Sequence, residues 1–384
     1  MKAKALMLSL ALAFPLSIHA QAQSGTNVTL YGLVDTAIEY VNNIYDVSTG
    51  EKHSSFHFTN QTASLPSRWG VRGSENLGGN LTAIFTLESG LNTGTGTSMQ
   101  GGRLFGRQAF VGLKGDWGQI GFGRQYNMIM WGMMGADVFG PNGHGTATLD
   151  SYIANARMDN AITYRGSFNG FKFGAAYARG RDTVTGNSPA ATGCGVDYTD
   201  QAACSAWSAM LGYDAENWGV AGIYDVISGS GDTTPTNWNG LLRGEKDRRW
   251  AINGYVKFDA FKVGLIYLNR NNDAGMSSYA GSLGNRSDFW TLNASYHASP
   301  AITLDGAVHY IRYTDADVRS NSWFYVARAS YAFSKRTAAY ASVGYLKNKG
   351  HAANSASGGT AGRGFQAEAG GNQTSLMIGL RHAF

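Results

Sequence analysis

Four arginine-bearing stretches lie close together in the first half of the chain: SRWGVRG with Arg68 and Arg72, GRQAFVGLKG with Arg107, GFGRQY with Arg124, and NARMDNAITY with Arg157. A guanidinium stays charged even when crowded by its like. Gathered on one wall around water, such groups attract anions and orient dipolar solutes. Any one of them fits plain solvation of a polar surface; the set together points to function. Groups for covalent chemistry are sparser. Asp305 and His309 share a face in ITLDGAVHYIRY, but residues four apart on a strand are separated by about 13 Å, too far for a hydrolytic dyad. Cys194 and Cys204 lie in one polar stretch, TGCGVDYTDQAAC, with no histidine or further cysteine nearby. A local disulfide closing a surface loop is the expectation, and no metal site.

Charge of the opposite sign is expected from a loop. The segment NMIMWGMMGADVFGPNGHGTATLDSYIAN is far more apolar than a solvated loop, with Met128, Met130, Trp131, Met133, Met134, Val138 and Phe139. Those side chains need a wall to pack on. Folded inward, the segment would form a constriction, with Asp137 near its tip and Asp150 on its return; an extracellular lid or a subunit contact is the competing placement.

The elements that must hold these residues repeat with period two. In NVTLYGLVDTAIEYV, Val28, Leu30, Gly32, Val34, Ile38 and Tyr40 fall on one face, and Tyr31, Asp35 and Glu39 on the other. RWAINGYVKF, FKFGAAY, ITLDGAVHYIRY and the final SLMIGLRHAF do the same. One face is apolar and the other carries charge. By this alternation Arg68 and Arg72 oppose Trp69 and Val71 and point into water, and Arg124 opposes Gly123 and Gln125. Arg107 points inward if Phe110 faces lipid.

Tight connections (ENLGGN, KGDW, FNG, DAEN, FDA, ASP, FSKR) alternate with long polar loops around residues 42–61, 93–102, 126–156, 181–205, 229–247, 270–287, 314–322 and 347–373. Seven turns and eight loops join sixteen strands, the pattern of a transmembrane antiparallel β-barrel. About 22–23 residues per strand and connection leave room for membrane strands of about 9–11 residues. Composition agrees: 52 glycines and 38 tyrosines and phenylalanines (20 and 18) stand against only 6 prolines, and no mature stretch has the run of apolar residues a helical span requires. Strand pieces bracketed by aromatics, and charge on every polar face, favour the barrel over a soluble sandwich. A barrel cannot leave an edge open to lipid, so the last strand must pair with the first.

The N-terminal MKAKALMLSLALAFPLSIHAQAQ has a basic start, a short apolar run and an A-x-A site. Residues 1–22 are expected to be a cleaved signal peptide and 23–384 a single barrel domain. Removing Lys2 and Lys4 lowers the formal charge from +5 to 5 − 2 = +3, a mild balance that argues against nucleic acid as a partner.

VTLYGLVDTAIEYV, SRWGVRGSENLGGNLTAIFTLE, RQAFVGLKGDWGQIGFGRQ, RMDNAITY and LMIGLRHAF together resemble the general diffusion porins of Gram-negative outer membranes, particularly the β-proteobacterial kind, over the whole mature chain. The resemblance implies a homotrimer and passive diffusion of ions and small hydrophilic solutes, with no cofactor. It further implies contact with outer-membrane lipids and lipopolysaccharide, and a terminal aromatic, Phe384, read by the outer-membrane assembly machinery. By motif position, Arg68, Arg107 and Arg157 correspond to the arginines facing an acidic third loop, Arg124 to the arginine opening that loop, and Asp137 to its first acid. Relatives of the enteric type carry a second acid in a Pro-Glu-Phe-Gly-Gly-like segment; this chain reads DVFGPNGHG. A weak anion preference follows from that departure. The alternatives are a substrate-specific channel, for which inward tyrosines such as Tyr31, Tyr255 and Tyr313 would form a slide, and, remotely, a barrel enzyme.

Overall fold

Alternation sets the architecture. The computed structural model describes residues 27–59, 62–149, 156–181, 193–230, 240–276, 283–314, 318–357 and 365–384. The predicted signal segment lies outside these residues, as does Asp150. Strands β1 (Asn27–Tyr45), β2 (Lys52–Phe58), β3 (Arg68–Gly78), β4 (Leu81–Gly90), β5 (Gln108–Gly115) and β6 (Gly118–Tyr126) precede the apolar segment. After it come β7 (Arg157–Phe168), β8 (Phe171–Arg179), β9 (Ser205–Asp214), β10 (Trp218–Ser228), β11 (Lys246–Phe258) and β12 (Phe261–Asn272). The set closes with β13 (Arg286–His297), β14 (Ile302–Thr314), β15 (Asn321–Ala332), β16 (Thr337–Lys349) and β17 (Asn372–Ala383). All pairings between these strands are antiparallel, and each strand from β3 onward pairs with the next.

The seventeen strand segments occupy sixteen positions around the barrel. Within residues 42–61, expected to be a loop, the described part forms a hairpin instead: β1 runs on to Tyr45, and β2 pairs back along it from Ile38 to Tyr45. The lower half of β1 pairs with β3, so β2 and β3 share one position.

Closure is by β1 and β17, in register from Leu33–Ala383 to Val41–Ser375. The Phe384 amide donates to the Gly32 carbonyl at 3.0 Å and the Gly32 amide donates back at 3.1 Å. In lipid an unpaired backbone group costs several kcal/mol, which is why the chain's last residue is tied. Position 32 is glycine for a packing reason. The Phe384 ring covers it, and a Cβ there would collide with that ring.

The outward face is apolar. Ile378 is 71% exposed and Leu30 62%, whereas Ser375, on the inward parity of the same terminal strand, is fully buried. Two aromatic belts bound this face. Toward the long loops, Trp250, Tyr267, Trp290, Tyr310 and Trp323 make successive ring contacts across five strands at centroid distances of 4.4–5.6 Å. Toward the short turns, Phe258, Phe261 and Tyr296 form the corresponding contacts. Interfacial girdles of this kind seat a barrel at the two headgroup levels.

Candidate functional site

The apolar segment between β6 and β7 crosses the interior. Its short helix, Met128–Met133, is capped by Asn127, whose side chain accepts from the Met130 amide at 3.2 Å and donates to Asp225 on β10 at 2.7 Å. The Met128 amide donates to Ser208 on β9, Asn253 on β11 donates to the Gly132 carbonyl, and the Val138 amide donates to Asn293 on β13. Farther on, His144 lies 2.8 Å from Ser342 on β16 and 2.7 Å from Ser375 on β17. The path therefore runs along the inner faces of β9, β10, β11 and β13 and then reaches β16 and β17. Ile129, Met133, Ala136 and Phe139 pack there with Ala221, Ile223, Ala251 and Ile266. This accounts for the segment's composition, since burying a side chain of this kind contributes roughly 1.5–3 kcal/mol. Contact is close enough that a Cβ at Gly264 would collide with the Ala136 carbonyl oxygen.

Between this segment and the wall lies a cavity of about 350 Å³, lined by Arg68, Arg107, Arg157, Glu88, Tyr126 and Asp137 among others. Arg107 Nε donates to Glu88 at 2.7 Å and its Nη2 to the Tyr126 hydroxyl at 2.6 Å. Arg68 Nε is 3.6 Å from the other Glu88 oxygen, which also accepts from the Tyr31 hydroxyl at 3.0 Å. Arg157 stands over the Tyr126 ring at 5.2 Å. Asp137 accepts from the Gly140 amide at 2.8 Å and the Thr146 hydroxyl at 3.2 Å, which fixes its carboxylate within the segment. Three guanidinium groups thus meet two carboxylates.

The remaining sequence-predicted residues fall as follows. Arg72 is exposed and sits over Tyr31 at 5.0 Å, on the same side as Glu88. Arg124 does not join the cluster: its Nε donates to the Gly106 carbonyl at 2.7 Å and its Nη1 pairs with Asp159. Alternation accounts for this: Arg124 pairs in register with Ala109, in one row with Leu87 and Val71, and shares the outward parity of Phe122. Pairing passes from Gly123–Ala161 to Gln125–Met158, so β7 carries one residue more than β6, and Asn160 takes a positive φ of 49°. Phe110 is on the inward side, in one row with Thr86 and Arg72, while Val111 is 58% exposed on the outer face. Arg107 reaches the cavity because it precedes β5, and the condition set on Phe110 does not apply. Cys194 and Cys204 form a disulfide, with Cα atoms 5.2 Å apart.

Sequence reasoning missed Glu88 and Tyr126. Glu88 ends an alternating strand, TLESG, on the parity of Thr86, and that was the available signal. The histidine and aspartate set aside at the outset are indeed apart: Asp305 pairs with Arg328, and His309 is buried beside Phe289 and Phe324, 2.9 Å from Thr291.

Comparison with known proteins gives a consistent picture. A family model described as Gram-negative porin matches residues 5–351. An outer membrane porin protein of Bordetella pertussis is 36% identical over 265 residues, a match spanning 64% of this chain and 64% of that relative. Outer membrane porin protein 32 of Delftia acidovorans is 26% identical over 389 residues, covering 96% of this chain and 97% of its own length. Among solved structures, the anion-selective porin from Comamonas acidovorans superposes with a TM-score of 0.71 at 23% identity, covering 94% of this chain and all of that one.

Proposed function

The chain belongs to the Gram-negative porin family, and from that premise we propose that it is a general diffusion channel of the outer membrane with a weak preference for anions. The observation that carries the preference is the constriction cavity where Arg68, Arg107 and Arg157 outnumber Glu88 and Asp137. A permeating ion there is close to all five groups and meets a net positive field. The protein acts as a channel and not as an enzyme.

Assembly as a homotrimer belongs to the same reading. So do export through the signal segment 1–22 and recognition of Phe384 by the assembly machinery. Contact with lipopolysaccharide has support on the outer face. Arg248, Arg286 and Arg312 share the parity of Trp250, Trp290 and Tyr310 and stand just beyond that aromatic belt on the long-loop side. The Arg286 and Arg312 side chains are 51% and 59% exposed while anchored on Asp288 at 3.2 and 2.8 Å. Cations at headgroup level suit the phosphates of the outer leaflet.

The test is a reversal potential in a potassium chloride gradient across a planar bilayer, with liposome swelling in neutral sugars. A modest chloride excess and flux rising linearly with sugar concentration are expected. Clear cation selectivity would overturn the preference, and absence of swelling would overturn the channel.

A further inference from the structure

Between the constriction segment and the short-turn rim lies a second cavity, of about 560 Å³. Trp131, Met134 and Met210 give it bulk, and Gly212, on the inward parity of Met210, leaves part of its floor flat. Its cations are Lys114, Arg165 and Lys172. Lys172 is already held by Asp214 at 2.6 Å. Arg165 is different. Its guanidinium carbon lies 3.6 Å from the centroid of the Trp131 ring, a stacked contact that uses the flat face of the group and leaves the N–H edges facing outward. Elsewhere in the barrel Arg107, Arg124 and Arg328 each end on a carboxylate. No carboxylate takes the edge of Arg165 among the described residues, and the same holds for Lys114. Two cations that pair with no carboxylate among the described residues thus border a cavity walled mainly by tryptophan, methionine and glycine, and the acid that also lines it, Asp116, accepts from Asn80 at 2.9 Å.

We propose that this cavity is a binding subsite for small aromatic carboxylates. The carboxylate pairs with the open edge of Arg165, with Lys114 supplying the second charge, and the ring lies along Trp131 and Met134 over the glycine floor. The lining selects the class. A hydrated inorganic anion would gain from the two cations but nothing from a tryptophan face or a thioether, whereas a flat ring gains from both. An aliphatic monocarboxylate has the charge without the ring. The site rests on the channel reading above, because solutes reach it only through the bore.

The experiment is block of potassium chloride conductance by benzoate, with acetate as the probe of equal charge, on trimers reconstituted in planar bilayers. Every variant is first checked for trimer migration in unboiled gels. Benzoate is expected to block at about a tenfold lower concentration than acetate, the discrimination a modest ring contact supplies. In R165Q that block is lost. In R165K, which keeps the charge and covers the case where the glutamine variant fails to assemble, block by both anions persists, whereas in W131L, which removes the aromatic face, benzoate and acetate become alike. Equal blocking constants for the two anions in the unaltered protein would overturn the proposal, as would undiminished benzoate selectivity in W131L. If the unaltered trimers conduct no potassium chloride at all, the channel reading falls and takes the subsite with it; open channels without discrimination sink the subsite alone.

Discussion

Glu88→Gln tests whether the barrel wall sets ion selectivity. The substitution replaces a carboxylate that accepts from Arg107 at 2.7 Å and Tyr31 at 3.0 Å, and lies 3.6 Å from Arg68, with an uncharged group of the same shape. Glutamine's carbonyl oxygen can still accept from Arg107, so the local packing has no reason to collapse. Counting the charged groups around the constriction, the fixed charge goes from 3 − 2 = +1 to 3 − 1 = +2. A unit charge about 5 Å from a passing ion is worth about 0.8 kcal/mol in water, and screening over a Debye length of about 8 Å roughly halves it. The remaining 0.4 kcal/mol or so is about a factor of two, favouring chloride and disfavouring potassium, so the permeability ratio should rise about fourfold. Reversal potentials in a tenfold potassium chloride gradient near physiological ionic strength read this directly. At 1 M salt, where the Debye length is about 3 Å, the same substitution should change the ratio by less than about twofold. That salt dependence separates a field effect from a rearranged eyelet. A ratio that stays put or moves toward potassium would refute the assignment of Glu88 to the constriction field.

Three further outcomes follow from the geometry. His144→Ala removes both ties of the constriction segment to β16 and β17, contacts worth about 1–3 kcal/mol in buried surroundings, so open-channel current noise should rise; traces as quiet as those of the unaltered protein would show the anchor lies elsewhere. Deleting Phe384 removes the ring over Gly32 and two closing hydrogen bonds, and should lower the yield of heat-modifiable trimer while channels that do form conduct normally; an undiminished yield would overturn its assembly role. Replacing Arg286 and Arg312 together by glutamine should lower the trimer's melting temperature in lipopolysaccharide but not in neutral detergent, and an equal fall in both would make the pair merely structural.

The barrel was legible because lipid enforces a strict rule. Every strand needs an apolar outer row, and Val28, Leu30, Ile38, Ile252 and Ile378 all stand where period two places them. The short turns and the closing pair of β1 and β17 were readable for the same reason. What escaped notice lies where that rule lapses. KHSSFHF sits in a stretch read as loop, although Phe56 and Phe58 alternate with Ser55 and His57. Beyond the membrane a hairpin needs no apolar core, so its polarity disguised it. Arg107 lies one residue outside a strand, where alternation predicts nothing about direction, whereas Arg124 stays in register with Ala109 and takes the outward parity of Phe122.

The position of the acids bears on how selectivity is built. Loop chemistry suggested that the negative side of the constriction should come from the inward segment, and DVFGPNGHG offers only Asp137 there. The structure places the other carboxylate, Glu88, on β4, within the arginine cluster itself. Asp137 in turn is engaged by the Gly140 amide and the Thr146 hydroxyl of its own segment. Both signs of charge are therefore fixed to rigid partners before any solute arrives. Arg68 and Arg107 share one wall carboxylate, so removing it frees positive charge, whereas moving the loop chiefly changes the width of the passage. Selectivity and aperture are on this account separable: substitutions at Glu88 should shift the permeability ratio with little change in conductance, and substitutions at His144 should do the reverse.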